Sequence, residues 1–174
     1  MRELRRPLLA LLLCVSAAKA SAEEQVMAPE RFLAHAFREE TPSEQIIWLD
    51  APLQSRLRPI LRHAYPQARL RYWRAGARSA WVLDEVGKEF PVTAGFVVNA
   101  GQIERANLLI YRESRGGEIR FPSFLNQFAG QHLDGGDQLT PDVDGISGAT
   151  LSVDAMRRMA RAALALAAAA DAKP

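Results

Sequence analysis

Residues 144–152 read DGISGATLS and set three hydroxyls, Ser147, Thr150 and Ser152, within six positions, close behind the carboxylate of Asp144. Such hydroxyls can act as nucleophiles, meet a phosphate or cap a helix, and the surrounding residues discriminate among these roles. A G-x-S-x-G nucleophile elbow would need a glycine where Ala149 stands and a histidine after the serine, but the last histidine is His132. A serine hydrolase built on Ser147 is therefore not expected. The acids Asp134, Asp137, Asp142 and Asp144 suggest a calcium loop, yet counting from Asp142 puts Ser147 at the glycine position and Val153 at the bidentate glutamate. His35, His63 and His132 have no ligand spacing, so no metal site is expected. Neither a G-x-x-x-x-G-K-[ST] nor a G-x-G-x-x-G phosphate loop occurs.

What remains is a turn at the start of a helix. The next residues, SVDAMRRMARAALALAAAADA, repeat Val153, Met156, Ala160, Ala163 and Ala167 at helical spacing, with Arg157, Arg158 and Arg161 on the opposite, solvated face. The Ala-rich end reads as a frayed tail. Backbone N–H groups and the helix dipole at such an N-terminus favour a phosphate, Gly148 and Ala149 would let it approach, and Thr150 would stand beside it. The same letters also fit a simple helix cap by Ser147, Thr150 or Ser152.

Upstream, PERFLAHAFREE places Phe32, Leu33, Ala36 and Phe37 on one side of a helix begun at Pro29, with His35 pointing away. APLQSRLRPILRHAYP repeats the pattern with Leu53, Leu57, Ile60 and Leu61, and Pro59 is expected to kink or divide it. TPSEQIIWLD between them is ambiguous. From Ala68 the period shortens, and hairpins are expected around RAGAR and NAGQ, giving four strands. Residues 115–143 form a long Gly- and Asp-rich loop apart from FPSFLNQFAG, a short helix carrying Phe124, Leu125 and Phe128.

Residues 1–22, MRELRRPLLALLLCVSAAKASA, read as a secretory signal peptide, with cleavage after Ala20 or Ala22. Leu13 precedes Cys14 where a lipoprotein would carry a small residue. The apolar run is shorter than the ~20 residues a spanning helix needs, so no transmembrane segment is expected in the mature chain. Removing Arg2, Arg5, Arg6 and Lys19 together with Glu3 takes the formal charge from +2 to −1, which gives no support to nucleic-acid binding. It also removes the only cysteine, which excludes disulfides, thiolate zinc, Cys-ligated clusters and c-type haem. The remaining chain suits one domain with its own core.

The motif resembles that of extracytoplasmic FMN-binding domains, D-x-x-[ST]-G-A-T, here Asp144, Ser147, Gly148, Ala149 and Thr150; such domains also occur in subunits of the sodium-pumping NADH:quinone reductase and its Rnf relatives. YRESRGGEIRFPSFLNQFAG is similar to the family's strand-and-loop segment, with Glu113 and Ser114 at its Glu-[Thr/Ser] pair and Phe124, Gln127 and Phe128 in its F-x-x-Q-F pattern. Arg115 stands where the redox-pump subunits carry a proline. AWVLDEVGKEFPVT resembles small periplasmic members.

The resemblance spans roughly residues 72–166, and together with the periodicities above it gives an α+β fold: N-terminal helices, an antiparallel sheet of hairpins, and a C-terminal helix after the flavinylation turn. The chain then divides into a signal peptide (1–22), an N-terminal helical extension (23–70) and an FMN-binding domain (71–170). The resemblance implies FMN joined through a phosphoester to Thr150 by a magnesium- and FAD-dependent flavinyltransferase. The product would be a periplasmic electron carrier serving a membrane-bound or periplasmic redox partner, rather than a stand-alone enzyme with catalytic side chains. The cofactor set would be Thr150, Asp144, Ser147, Gly148, Ala149, Glu113, Ser114 and Phe124, with the loop of Phe124 and Phe128 closing over the flavin. Glu113 could equally pair with an arginine. Trp48, Trp73, Trp81 and Tyr72 read as core aromatics, and Lys88 as a surface lysine. The alternative is a flavin-free periplasmic adaptor in which SGAT is only a cap.

Overall fold

The computed structural model describes residues 23–172; the leader, its cleavage sites and Cys14 lie outside them. The chain runs through β1 (Glu24–Gln25), α1 (Pro29–Phe37), β2 (Ser43–Trp48), α2 (Ala51–Leu61), β3 (Arg69–Ala75), β4 (Arg78–Val86), β5 (Pro91–Asn99) and β6 (Gln102–Tyr111). Then come a 3-10 turn (Gly117–Arg120), α3 (Pro122–Leu125), a second 3-10 turn (Asn126–Phe128), the small ladder of β7 (His132–Leu133) with β8 (Leu139–Thr140), and α4 (Thr150–Asp171). The architecture is α+β and ends on a helix, as expected.

Strands β2 to β6 form an antiparallel meander, and β1 pairs with the end of β6, giving the order β1-β6-β5-β4-β3-β2. The RAGAR and NAGQ hairpins close as two-residue turns. Asn99 pairs with Gln102 across Ala100 (φ 49°) and Gly101 (φ 78°). Positive φ at both central residues is the type I′ geometry whose twist matches the flanking strands. The ambiguous TPSEQIIWLD becomes β2, in unbroken register with β3 from Ser43↔Arg74 to Trp48↔Arg69. The segment before residue 70 is therefore not purely helical. As an edge strand β2 buries only Ile47, too little to leave an alternating pattern in the sequence.

The sheet carries a helix layer on each face. On one, α1 lays Phe32, Ala36 and Phe37 against Ala80, Val97 and Leu109. Gly95 makes this possible, since a Cβ there would sit 2.7 Å from Phe32 Cζ. On the other, α4 crosses β4, β5 and β6, and α2 packs against α4. Pro59 does not divide α2 as expected; the helix runs on to Leu61. The proline removes one intrahelical bond near the end, and burial of Ile60 and Leu61 against the core secures the last turn.

Two expectations for α4 are also corrected. Its alanine tail is not frayed, because Ala162 to Ala167 are all buried and their small side chains let the sheet and α2 approach from different sides. Its arginines are not simply solvated. Arg158 is 8% exposed and donates to Glu85 (2.9 Å), Asp154 and the Val86 carbonyl. Arg157 donates to the Val143 carbonyl and Arg161 to that of Asp137 (2.5 Å), so both clamp the long loop onto the helix. No helix among the described residues is long and apolar enough to cross a membrane.

Candidate functional site

Three segments converge where β4 ends, β5 begins and β6 ends: the Gly87–Phe90 turn, the loop after β6 and the start of α4. Glu113 draws the first two together. Its Oε1 accepts from the backbone N–H groups of Lys88 (2.6 Å), Glu89 (2.7 Å) and Phe90 (3.0 Å). Burial alone would raise its pKa, but these donors and nearby Lys88 outweigh that and hold it below the ordinary carboxylate value. Glu113 therefore holds a turn through backbone donors, and among the described residues it forms no ion pair with an arginine. Gly87 permits the approach, since a Cβ there would lie 3.0 Å from Glu113 Oε1 and 3.6 Å from Ser152 Oγ.

The loop after β6 presses on α4 in the same way. Gly116 has φ +85°, and a Cβ on it would come within 3.0 Å of both Ser152 Oγ and Tyr111 Oη. Tyr111, buried at the end of β6, donates to the Arg115 carbonyl and lies 3.4 Å from Ser152 Oγ; burial pushes its phenol pKa up. Arg120 spans the loop, with Nε donating to the Gly117 carbonyl (2.8 Å), Nη1 pairing with Glu24 (2.6 Å) and the guanidinium 5.7 Å from the Tyr111 ring centre.

The turn before α4 is fixed by the helix behind it and by Gln127. Gln127 Oε1 accepts from the backbone N–H of Asp144 (2.7 Å), and its carbonyl accepts from Gln131 Nε2 (2.9 Å). Gly148, at φ +84°, turns the chain into the helix, and Ala149 is the residue that flanks its start. No side chain caps α4. Thr150 is the first helical residue and is exposed, so the capping role open to Ser147, Thr150 or Ser152 in the sequence is not adopted. The first-turn N–H groups lack intrahelical partners and remain a ready anion site.

Beside this helix start lies an open cleft of about 750 Å³ lined by Glu113, Ser114, Arg115, Arg120, Ser147 and Gly148, among others. Residues 87–165 match the family model described as FMN-binding domain. That stretch is an FMN-binding domain. The fold of the chain is similar to that of a crystal structure of Shewanella oneidensis NqrC, with a TM-score of 0.51 and 15% identity, over 74% of this chain and 78% of that one. Among curated proteins, no sequence matches.

Within the FMN-binding domain the sequence-derived residues divide into two groups. Glu113, Ser114, Ser147 and Gly148 line the cleft, and Ala149 and Thr150 follow directly on its wall. Asp144 is exposed, held through its backbone rather than its carboxylate. Phe124 departs from expectation. It is 2% exposed and meets Phe128 edge-to-face at 5.4 Å, so both aromatics anchor the loop in the core and neither lines the cleft. Two other aromatics line the cleft, the buried Tyr111 and Phe121, which is 53% exposed and which the sequence reading missed. Only its place three residues before Phe124 could have marked it. Tyr72 and Trp81 stack at 4.4 Å in the core, as expected, and Trp73 packs half-buried against the apolar cluster on the α1 face, whereas Trp48 on the edge strand is 60% exposed and is not a core aromatic; Lys88 is exposed.

The residues present fit FMN. An uncapped helix start can receive a phosphate, an exposed hydroxyl sits at its first position, and an open cleft with a solvent-facing ring adjoins both.

Proposed function

We propose that the protein is an exported electron carrier that holds FMN through a phosphoester on Thr150, installed in the periplasm by a magnesium-dependent flavinyltransferase that breaks the FAD pyrophosphate bond, joins the FMN phosphorus to the Thr150 oxygen and releases AMP and the hydroxyl proton. The observation that carries this reading is the exposed Thr150 hydroxyl at the first position of an uncapped helix, inside the FMN-binding domain and beside its cleft. Bound flavin supplies the one- and two-electron redox chemistry that side chains lack.

The chain's own residues have simpler tasks. The free N–H groups of α4 meet the phosphate, and Gly148 keeps that approach open. Glu113 and Gln127 hold the two turns that frame the helix start. Phe121 offers its ring face, while Arg115 and Arg120 supply positive charge to a cleft that also contains Glu24, Glu113 and Glu118. Asp144, exposed and without a salt bridge among the described residues, is available to the transferase. Covalent attachment keeps flavin local where a dissociated cofactor would diffuse away. The adaptor alternative requires SGAT to serve as a cap, and no such cap forms.

Peptide mass spectrometry tests this reading on protein exported together with an active transferase. The peptide containing Thr150 should carry the added mass of one FMN less one water. An unmodified peptide from fully exposed protein overturns it, and a modified Ser147 or Ser152 moves the attachment site.

A further inference from the structure

We propose that His63 is a pH-operated clasp, which as an imidazolium fastens the end of α2 to the buried carboxylate of Glu85 and on losing a proton lets go of it. His63 lies just beyond α2, after Arg62 turns the chain at φ 69°. Each of its ring nitrogens faces an acceptor. Nε2 lies 2.6 Å from Glu85 Oε1, and Nδ1 lies 2.9 Å from the Ala64 carbonyl. A carbonyl and a carboxylate bring no proton, and a neutral imidazole carries a single N–H. Both contacts are therefore hydrogen bonds only when the ring holds two protons. Glu85 meets the ring as a carboxylate does, its other oxygen accepting from Arg158 (2.9 Å).

The surroundings favour that state and keep it reversible. The side chain of Glu85 is 3% exposed and that of His63 is 49% exposed, so the carboxylate stays inside while solvent reaches the ring. Charged groups face the clasp from three elements. Strand β4 supplies Glu85, with Asp84 on the wall of the adjoining cavity; α4 supplies Arg158 and Asp154; and Arg62, beside His63 in the chain, pairs with Asp154 (2.7 Å). The Ala64 carbonyl first, and Glu85 with it, raise the ring's pKa above the ordinary histidine value, outweighing partial burial and the Arg158 cation. Tyr65 shares the cavity, and burial pushes its phenol up to about 12, so it stays neutral while the ring titrates. The cavity, about 240 Å³, gives the released ring room to move. Glu85 sits at the end of β4, where the turn held by Glu113 begins, so the clasp ties α2 to a strand end that frames the cleft.

The sign follows from the raised pKa: the stabilisation is fully present below the unfolded-chain value and is lost as the pH rises through the folded one. The test requires no flavin, so its failure would not bear on the proposed function. Proton NMR follows the His63 ring, identified by elimination with His35→Gln and His132→Gln, both at exposed positions. Its titration midpoint should lie above the one measured in urea, a comparison that needs no variant at position 63. The Arg62 amide, which donates to the Arg58 carbonyl, reports the end of α2. Its hydrogen-exchange protection, corrected for the intrinsic effect of pH, should fall through the same midpoint in the wild type and stay level in His63→Gln, whose side chain does not titrate. A His63 midpoint at or below the unfolded value overturns the proposal, as does Arg62 protection that ignores pH or changes alike in the two proteins.

Discussion

Thr150 and Glu113 contribute to the same site through opposite kinds of contact. The Thr150 hydroxyl faces solvent at the first position of α4 and caps nothing. Thr150→Ala should therefore change stability by no more than about 0.5 kcal/mol, as at an ordinary surface position, while abolishing the flavin fluorescence that survives a denaturing gel. A variant that unfolds would assign the hydroxyl to the fold instead. Glu113 holds three backbone donors, and Glu113→Ala should cost about 1–3 kcal/mol at neutral pH, read from urea melts. Its pKa in the folded state lies below the ordinary carboxylate value of the unfolded chain. The unfolded chain then binds the proton more readily than the folded one. The stabilisation is thus fully present above that value and fades as the pH falls through the folded pKa. The gap between wild type and Glu113→Ala should close in that acid window, and a gap independent of pH would show that the charge is irrelevant.

Among the elements, α4 and the α3 segment with the 3-10 turn after it show why part of the site was readable and part was not. The motif residues were legible because a glycine turn followed by helical periodicity is a local signal. Phe124 was misassigned because an aromatic in a Gly-rich loop looks the same in sequence whether it faces a cofactor or the core; here Phe128 and the sheet claim it. The loop clamps of Arg157 and Arg161 depend on carbonyls 14 and 24 residues away, which no periodicity encodes. Gln127 belongs to this long-range class too. Its side chain holds the Asp144 N–H, so Gln127→Ala should leave thermal unfolding nearly unchanged while slowing flavin incorporation, followed by absorbance during incubation with transferase and FAD. Gln127→Glu, which keeps an acceptor oxygen, should recover much of the rate. Equal rates in all three proteins would mean that this bond does not position the turn.

Across the whole molecule, the family match begins at residue 87, but the packing does not divide there. The hairpins and the last helix were legible from local pattern, whereas the membership of β1 and β2 in the same sheet was not, because short edge strands bury too little to announce themselves. The segment before residue 69 also supplies core: Phe32 and Phe37 cover one face of the sheet, and Ile47, Leu53, Leu57, Ile60 and Leu61 enter the core on the other. At about 1.5–3 kcal/mol for each large apolar side chain buried, their loss would remove on the order of 10 kcal/mol, as much as a typical domain's entire stability of about 5–15 kcal/mol. It would also open the outer edge of β3 and the apolar side of α4 to water. A fragment spanning residues 69–172 should therefore fail to fold cooperatively even though it contains the whole matched domain and Thr150. Its heat-unfolding curve should be broad, it should bind a hydrophobic dye such as ANS, and it should take up flavin poorly. A sharp unfolding transition with dispersed amide resonances from that fragment would overturn the argument and make the N-terminal helices and strands an addition to a self-sufficient domain.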